Sequence, residues 1–405
     1  MAEASVSLSH GGFSFWRIMN IRPGITFDDV MLAPKYSEIP NRNLENIDLS
    51  INLGKGIKLS IPVVSANMKS ITGPEMATTI AEMGGLAILH RFVEASNSQP
   101  HWFGMWEMWK KVCNTRPELI NHVGVSVGVQ EDDFEIVNQL AGYAKIFCVD
   151  VAHGDHIKCV KMTEYIAKNC PDALLISGNV ATKAGALRLY NAGATVIKVG
   201  IGGGSLCTTR IETGNGVPQL TALEDVYNAS LNFETHTEYH QMNYPVSVVG
   251  GACGIEGTSV ILSGVSFPQT TVLPSGRKFK IIADGGIRKA GDIVKALCFS
   301  DVVMLGNLLA GTDEAPGRVL YIDGKGYKEY AGSSTHKANH IEGVSALVPT
   351  KGPVKTIVNK LIEGVLSGLS YQGATNLDEL KDSPEFVSVS HAGLIESHPH
   401  DVMVK

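Results

Sequence analysis

The sequence predicts an α/β chain folded as a closed (β/α)8 TIM barrel. Three observations carry that expectation: eight short apolar runs, a segment of helical period after most of them, and run ends rich in glycine and polar residues. The runs cover residues 61–66, 86–90, 124–129, 146–152, 174–180, 196–201, 280–286 and 302–307. They are β-branched and nearly unbroken in apolar character, as strands covered on both faces are. EDDFEIVNQLAGYA after the third run and TKAGALRLYNAG after the fifth have the period of amphipathic helices, so strand and helix alternate and the sheet is parallel. Eight such units suit a closed barrel, with an open doubly wound sheet as the alternative that a count alone leaves.

The sixth run ends at residue 201 and the seventh starts at 280, a gap far longer than a barrel loop and helix require. Its polar part, 228–277, contains His236 and His240 and reads as an insertion in a single domain spanning 1–405. Apolar residues make up 44% of the chain, enough for a full core, and charged residues only 18% against a usual share of about 25%. Glycine is in excess, 43 of 405 residues, as tight loops and backbone close to a ligand require. A net charge of -6 leaves no basic footprint, so neither nucleic acid nor an anionic membrane is an expected partner. The cysteines at 113, 148, 159, 170, 207, 253 and 298 form no C-x-x-C pair and read as reduced thiols. The first twenty residues lack a cationic start followed by an apolar core, and no stretch reaches the ~18 apolar residues of a membrane span. A cytoplasmic, soluble chain is expected.

In such a barrel the chemistry sits at the C-terminal strand ends. Those ends carry Asn67 and Met68, Asp150 to Gly154, Asn179, the glycine loop from Gly200, Asp284 with Gly285 and Gly286, and Gly306 with Asn307. Lys-Val-Gly-Ile-Gly-Gly-Gly-Ser-Leu-Cys-Thr-Thr-Arg, residues 198–210, sets a lone cysteine behind a glycine-rich loop. Such a loop lets backbone groups approach an anion or a bare cation, and local dipoles can activate a thiol held there. A purely structural turn is the other reading of the same spacing.

The string resembles the active-site loop of the inosine monophosphate dehydrogenase and guanosine monophosphate reductase family. The resemblance extends along nearly the whole chain: Gly24-Ile-Thr-Phe-Asp-Asp-Val-Met-Leu, Ile61-Pro-Val-Val-Ser-Ala-Asn-Met, Ile282-Ala-Asp-Gly-Gly-Ile-Arg, Met304-Leu-Gly, Leu309-Ala-Gly-Thr and Tyr330-Ala-Gly-Ser follow in family order. It implies that Cys207 attacks C2 of a purine nucleoside 5′-monophosphate, with Thr209 and Glu342 as acid and base partners. It also implies Asp284 with Gly285 on the ribose hydroxyls, and Ser205, Gly286, Gly306, Asn307, Tyr330, Gly332 and Ser333 around the phosphate and base. Asp150, Ala152, His153, Asn179 and Gly200 would lie beside the nicotinamide of a dinucleotide. The carbonyls of Gly202, Gly204 and Cys207 would hold potassium, completed by Glu396, Ser397 and His398 of a neighbouring subunit in a homotetramer. Without the resemblance, Asp150 and Asp284 could cap loops, Tyr330 and His153 could simply pack, and the Glu-Ser-His-Pro-His-Asp string could be a solvated tail.

Two departures bear on the direction of reaction. The family's dehydrogenases usually carry paired cystathionine-synthase-type modules after the second strand, where this chain has only the tryptophan-rich stretch 92–122. Their flap carries an Arg-Tyr pair that activates water. The flap candidate, 332–352, has none, and the last arginine of the chain is Arg318. Glu342 followed by the Leu-Val-Pro-Thr-Lys-Gly-Pro stretch and Ser367-Gly-Leu-Ser-Tyr-Gln-Gly resemble the reductase, whereas the segment 384–405 resembles the dehydrogenase. The expectation is therefore a guanosine monophosphate reductase using NADPH. A module-less dehydrogenase and a non-catalytic nucleotide-binding barrel are the alternatives.

Overall fold

Eight parallel strands close on themselves in chain order, so that the last pairs with the first: β1 (Val63–Ser65), β2 (Leu86–Leu89), β3 (Val123–Val127), β4 (Ile146–Asp150), β5 (Leu174–Val180), β6 (Val196–Val199), β7 (Lys280–Asp284) and β8 (Val302–Leu305). The computed structural model describes residues 21–93, 101–241, 244–246, 260–262, 266–332 and 344–399. All eight expected strands are present. Most expected runs extend one or two residues beyond the strand, because their polar ends have left the ladder and belong to the loops of the mouth. The strand residues are buried on both faces, including Val63, Val64, Leu86, Ile88, Ile146, Val149, Ile281 and Val303 at 0% exposure. Each such side chain contributes about 1.5 to 3 kcal/mol when removed from water.

The outer ring is formed by α1 (Pro74–Glu82), α2 (His101–Cys113), α3 (Glu131–Leu140), α4 (Ile157–Asn169), α5 (Lys183–Asn191), α6 (Gln219–Ser230), α7 (Ala290–Leu297) and α8 (Val354–Gln372). Their starts are written in the sequence. Proline opens α1, Gln130 and Asp133 form a reciprocal cap on α3, and the Thr182 hydroxyl accepts from the Gly185 amide on α5. α8 ends at Gly373, whose φ of 64° is left-handed. Between β2 and β3 the described elements are α2 and a short 3-10 turn, Pro117–His122, with no room for a further module. The tryptophans of that stretch pack: Trp106 stacks on Trp109 with centroids 5.7 Å apart, and Tyr143 meets both edge-on.

Between α6 and β7 the chain forms an antiparallel ribbon, Leu231–Gln241 against Ser266–Arg277, with a register shift at Asn232/Phe233. A second pair joins Tyr244–Val246 to Val260–Leu262. A barrel helix runs back towards the start of the next strand, so the ribbon is rooted on the face opposite the strand ends that carry chemistry. Its root is a buried charge cluster. Asp301, 0% exposed, receives a bidentate pair from Arg277, a 2.8 Å bond from the Ile281 amide and a 3.4 Å bond from Lys280. Lys381 lies 3.7 Å away, so the cluster also draws in the segment after α8. That segment continues into a strand, Phe386–Ser388, paired antiparallel with Val30–Leu32. Among the described residues no helix is long and apolar enough to cross a membrane.

Burial alone would raise the carboxyl pKa of Asp301, but Lys381, Arg277 and Lys280 overcome it and hold it at about 2. A carboxyl depressed in the folded state stabilises above its unfolded pKa, and that contribution is lost as pH falls through the folded value. Asp301→Asn should therefore lower the unfolding free energy at neutral pH by about 3 to 5 kcal/mol, since it strands three cations around a neutral amide. The deficit should shrink between about pH 5 and pH 2, where the parent loses its own contribution. Denaturant titrations of both proteins across that range check this.

Candidate active site

At the C-terminal mouth, one ammonium holds two carboxylates. Lys198 on β6 donates through Nζ to Oδ1 of Asp150, the last residue of β4, at 2.8 Å, and to Oδ2 of Asp284, the last residue of β7, at 3.2 Å. Its side chain is 3% exposed. Burial disfavours its charge, yet the two aspartates outweigh that and push its pKa above the ordinary lysine value. Burial likewise works against ionised Asp150, and Lys198 with Arg91 reverses it, holding the carboxyl below its usual range. Asn179 on β5 fixes the other side. Its amide donates to Asp284 Oδ2 at 2.9 Å and to the Gly200 carbonyl at 2.7 Å. Asp284 Oδ1 is left without a donor among the described residues, open to a hydroxyl-bearing ligand.

The glycine loop passes directly over this cluster. Gly200 has φ 145°, and a Cβ there would stand 1.9 Å from the Asp284 carbonyl oxygen, so only glycine allows β6 to leave so close to β7. Arg210 braces the loop from behind, donating to the Ile201 carbonyl at 3.2 Å and to the Val217 carbonyl at 2.6 Å. Cys207 is exposed, whereas the other described cysteines are buried. Its Sγ lies 3.0 Å from the Thr209 hydroxyl, and Thr209 opens the short helix Thr209–Thr213. Desolvation pushes the buried Cys113 and Cys298 thiols up to about 12, which makes them inert at neutral pH.

Lys198, Asp150, Asp284, Asn179, Gly200, Cys207 and Thr209 line one cavity of about 220 Å³, together with Asn67, Met68, Arg91, Val151, Ala152, Gly202, Gly204, Ser205, Gly285, Tyr330 and Gly332. The Tyr330 hydroxyl reaches Gly306, where a Cβ would lie 3.4 Å from it, so the turn after β8 adjoins the same space. Burial, then Asp284, pushes the Tyr330 phenol up to about 12, so it stays a neutral donor. Gly286, Gly306 and Asn307 are not part of the cavity lining. His153 is exposed and also outside it. Ser333 and Glu342 lie outside the described residues, as do Lys337 and His340. The structure roots the flap on the site nonetheless, because the Val344 amide donates to the Leu206 carbonyl at 3.2 Å and the Gly332 amide to the Val344 carbonyl at 3.3 Å. Ser397 and His398 turn inward on their own helix, His391–Glu396. The Ser397 hydroxyl donates to the Gly393 carbonyl at 2.8 Å, and His398 Nδ1 lies 2.8 Å from the Leu394 carbonyl.

Sequence reading assigned no role to Arg91 or to the Lys198 bridge. Arg91 stands two residues beyond β2, so the same strand-end rule that found Asp150 could have found it. Its Nε and the Oδ1 of Asn179 are buried without hydrogen-bond partners among the described residues, and both residues line the cavity. Buried polar atoms left open in this way fit a polar ligand with hydrogen-bonding edges.

A family model described as the IMP dehydrogenase / GMP reductase domain matches residues 24–238 and 245–400. The inosine-5′-monophosphate dehydrogenase of Borreliella burgdorferi is 32% identical over 94% of this chain and 98% of that protein. The proteins of the same name from Nitrosopumilus maritimus and Aquifex aeolicus are each 30% identical over 95% of this chain, covering 100% and 96% of their own lengths. The alignment with the Nitrosopumilus protein runs to 522 positions against 405 residues here, so that relative carries a long segment this chain lacks. With the strand-end carboxylates, the glycine loop and the exposed thiol in one cavity, the chain belongs to the IMP dehydrogenase / GMP reductase family of oxidoreductases.

Proposed function

We propose that the chain oxidises inosine monophosphate at C2 as a dehydrogenase without regulatory modules, using NAD. What carries this reading over the reductase expected from the flap is that relatives of that name align along nearly all of the chain and nearly all of their own length. In this reading the Cys207 thiolate adds to C2 of the purine, and Thr209, at 3.0 Å, takes part in the proton transfers. A bound nicotinamide dinucleotide supplies the acceptor for the C2 hydride. Asp150, Asn179 and Arg91 would hold that ring, and Asp284 Oδ1 would take the ribose hydroxyls. Water then displaces the Cys207 sulfur from C2, releasing xanthosine monophosphate and returning the thiol.

One observation favours the reductase as a second reading: no arginine follows Arg318, so the flap has no guanidine to activate that water. In this alternative, ammonia leaves C2 of guanosine monophosphate, Glu342 and Thr209 protonate it, and NADPH returns a hydride. Loss of a general base costs about 3 to 5 kcal/mol, or 10² to 10⁴ in hydrolysis, so a dehydrogenase here needs another base, with Lys337 and His340 the candidates.

The Gly202 and Cys207 carbonyls accept no hydrogen bond among the described residues, which suits a hard monovalent cation. We assign potassium to them and to Gly204, with Glu396, Ser397 and His398 supplied by a neighbouring copy in a tetramer.

Three measurements test this. Inosine monophosphate with NAD should give NADH and xanthosine monophosphate. Consumption of NADPH with guanosine monophosphate, matched by ammonia while the oxidative assay stays silent, reverses the assignment. Cys207→Ala should keep nucleotide binding and lose turnover by several orders of magnitude in either direction, and substantial residual activity rules out the covalent route. Potassium should raise the rate above that in sodium, and removal of residues 396–405 should abolish the difference. Equal rates in both salts, unaffected by the truncation, leave those residues a simple tail.

A further inference from the structure

Lys351 stands at the end of the flap interval 332–352, half-buried, and pairs with no carboxylate among the described residues. Its ammonium instead donates to two backbone carbonyls of the turn after β8, that of Asn307 closely and that of Leu308 at 3.4 Å. The backbone around it is laid along the same turn. The Lys351 amide donates to the Gly311 carbonyl at 2.9 Å, and the Asp313 amide to the Gly352 carbonyl at 3.0 Å. Within the turn, the Leu309 and Ala310 amides bond back to Gly306, whereas the amides of Asn307 and Leu308 take no acceptor among the described residues.

In a trans peptide the C=O of one residue and the N–H of the next point in opposite directions. A cation bonded to the Asn307 carbonyl therefore turns the Leu308 N–H away from itself and polarises it as a donor. We propose that Lys351 is a positioning residue for the 5′-phosphate: from behind the turn it aims the free amides at the phosphate and supplies the unpaired positive charge that a dianion requires. This rests on the nucleotide reading above, in which Gly306 and Asn307 adjoin the phosphate. It also places the end of the flap and the phosphate-binding turn in one hydrogen-bonded unit, so that nucleotide binding and flap placement are linked.

The experiment compares binding of inosine monophosphate and inosine to the full chain by calorimetry, in the parent, Lys351→Met and Lys351→Arg, with ligand-free melting as a folding control. Lys351→Met should weaken the monophosphate by about tenfold or more and leave inosine unchanged, raising KM with little change in kcat. Lys351→Arg, which keeps the cation and its donors, should restore most of the preference. Should Lys351→Met fail to fold, Lys351→Gln, a neutral donor of similar length, gives the same ratio. An unchanged ratio of the two affinities in the neutral variant overturns the role of Lys351 alone. Equal affinity of the parent for the two ligands overturns the phosphate reading and this inference with it.

Discussion

The Lys198 ammonium, buried between Asp150 and Asp284, is the constraint on which the mouth of the barrel depends. Two carboxylates brought together at the strand ends of a closed sheet would repel one another. One lysine from β6, which lies between them in the barrel, bridges both and fixes their separation. The cluster retains one negative charge, balanced in part by Arg91, and Asp284 keeps an open oxygen towards the cavity. A site built this way suits neutral hydroxyls and the positive ring of an oxidised nicotinamide, and it repels phosphate. The groups proposed to meet the phosphate accordingly lie elsewhere, on the Ser205 loop and on the turn after β8, which Lys351 braces from behind. Charge is thus separated across a single opening, which orients a nucleotide before any specific contact with its base.

The opposite face inverts the arrangement. There a single buried carboxylate, Asp301, gathers Arg277, Lys280 and Lys381, and joins the ribbon, the barrel and the segment after α8. Such a cluster is costly to bury and more costly to break, and it adjoins none of the groups placed in the chemistry. Stability and activity are in this way anchored at opposite ends of the same strands, so the ribbon can be carried without disturbing the mouth.

The eight strands were legible because strands buried on both faces must be continuous and β-branched, a pattern that needs no partner to be recognised. Cys207 was legible because a thiol behind four glycines in five positions is a local feature. Lys198 and Arg91 were less so: nothing in the Lys-Val-Gly string says that closure will bring Asp150 and Asp284 to one side chain, and His90 was read as the end of its strand. Lys351 was hidden for the same reason, since its partners are backbone carbonyls more than forty residues away. The tail shows a further limit. Its Glu-Ser-His string suggests a ligand set, but among the described residues the Ser397 hydroxyl and His398 Nδ1 meet carbonyls of their own helix.

The choice between oxidation and reductive deamination depends on a small part of the molecule. Both reactions can use the same Cys207 adduct, the same ribose carboxylate and the same phosphate turn; they differ in whether water or ammonia meets C2. The flap, which decides this in the proposed reading, is rooted twice on the barrel, by the Val344 amide on the Leu206 carbonyl and by Lys351 on the turn after β8. Those roots use backbone groups and one lysine, none of which depends on the identity of the residues between them. The interval 333–343 can therefore exchange one proton-transfer group for another while the nucleotide stays in place. In the proposed reading this accounts for a chain that aligns throughout with dehydrogenases and has no arginine beyond Arg318: the scaffold fixes the adduct, and the flap chooses what attacks it.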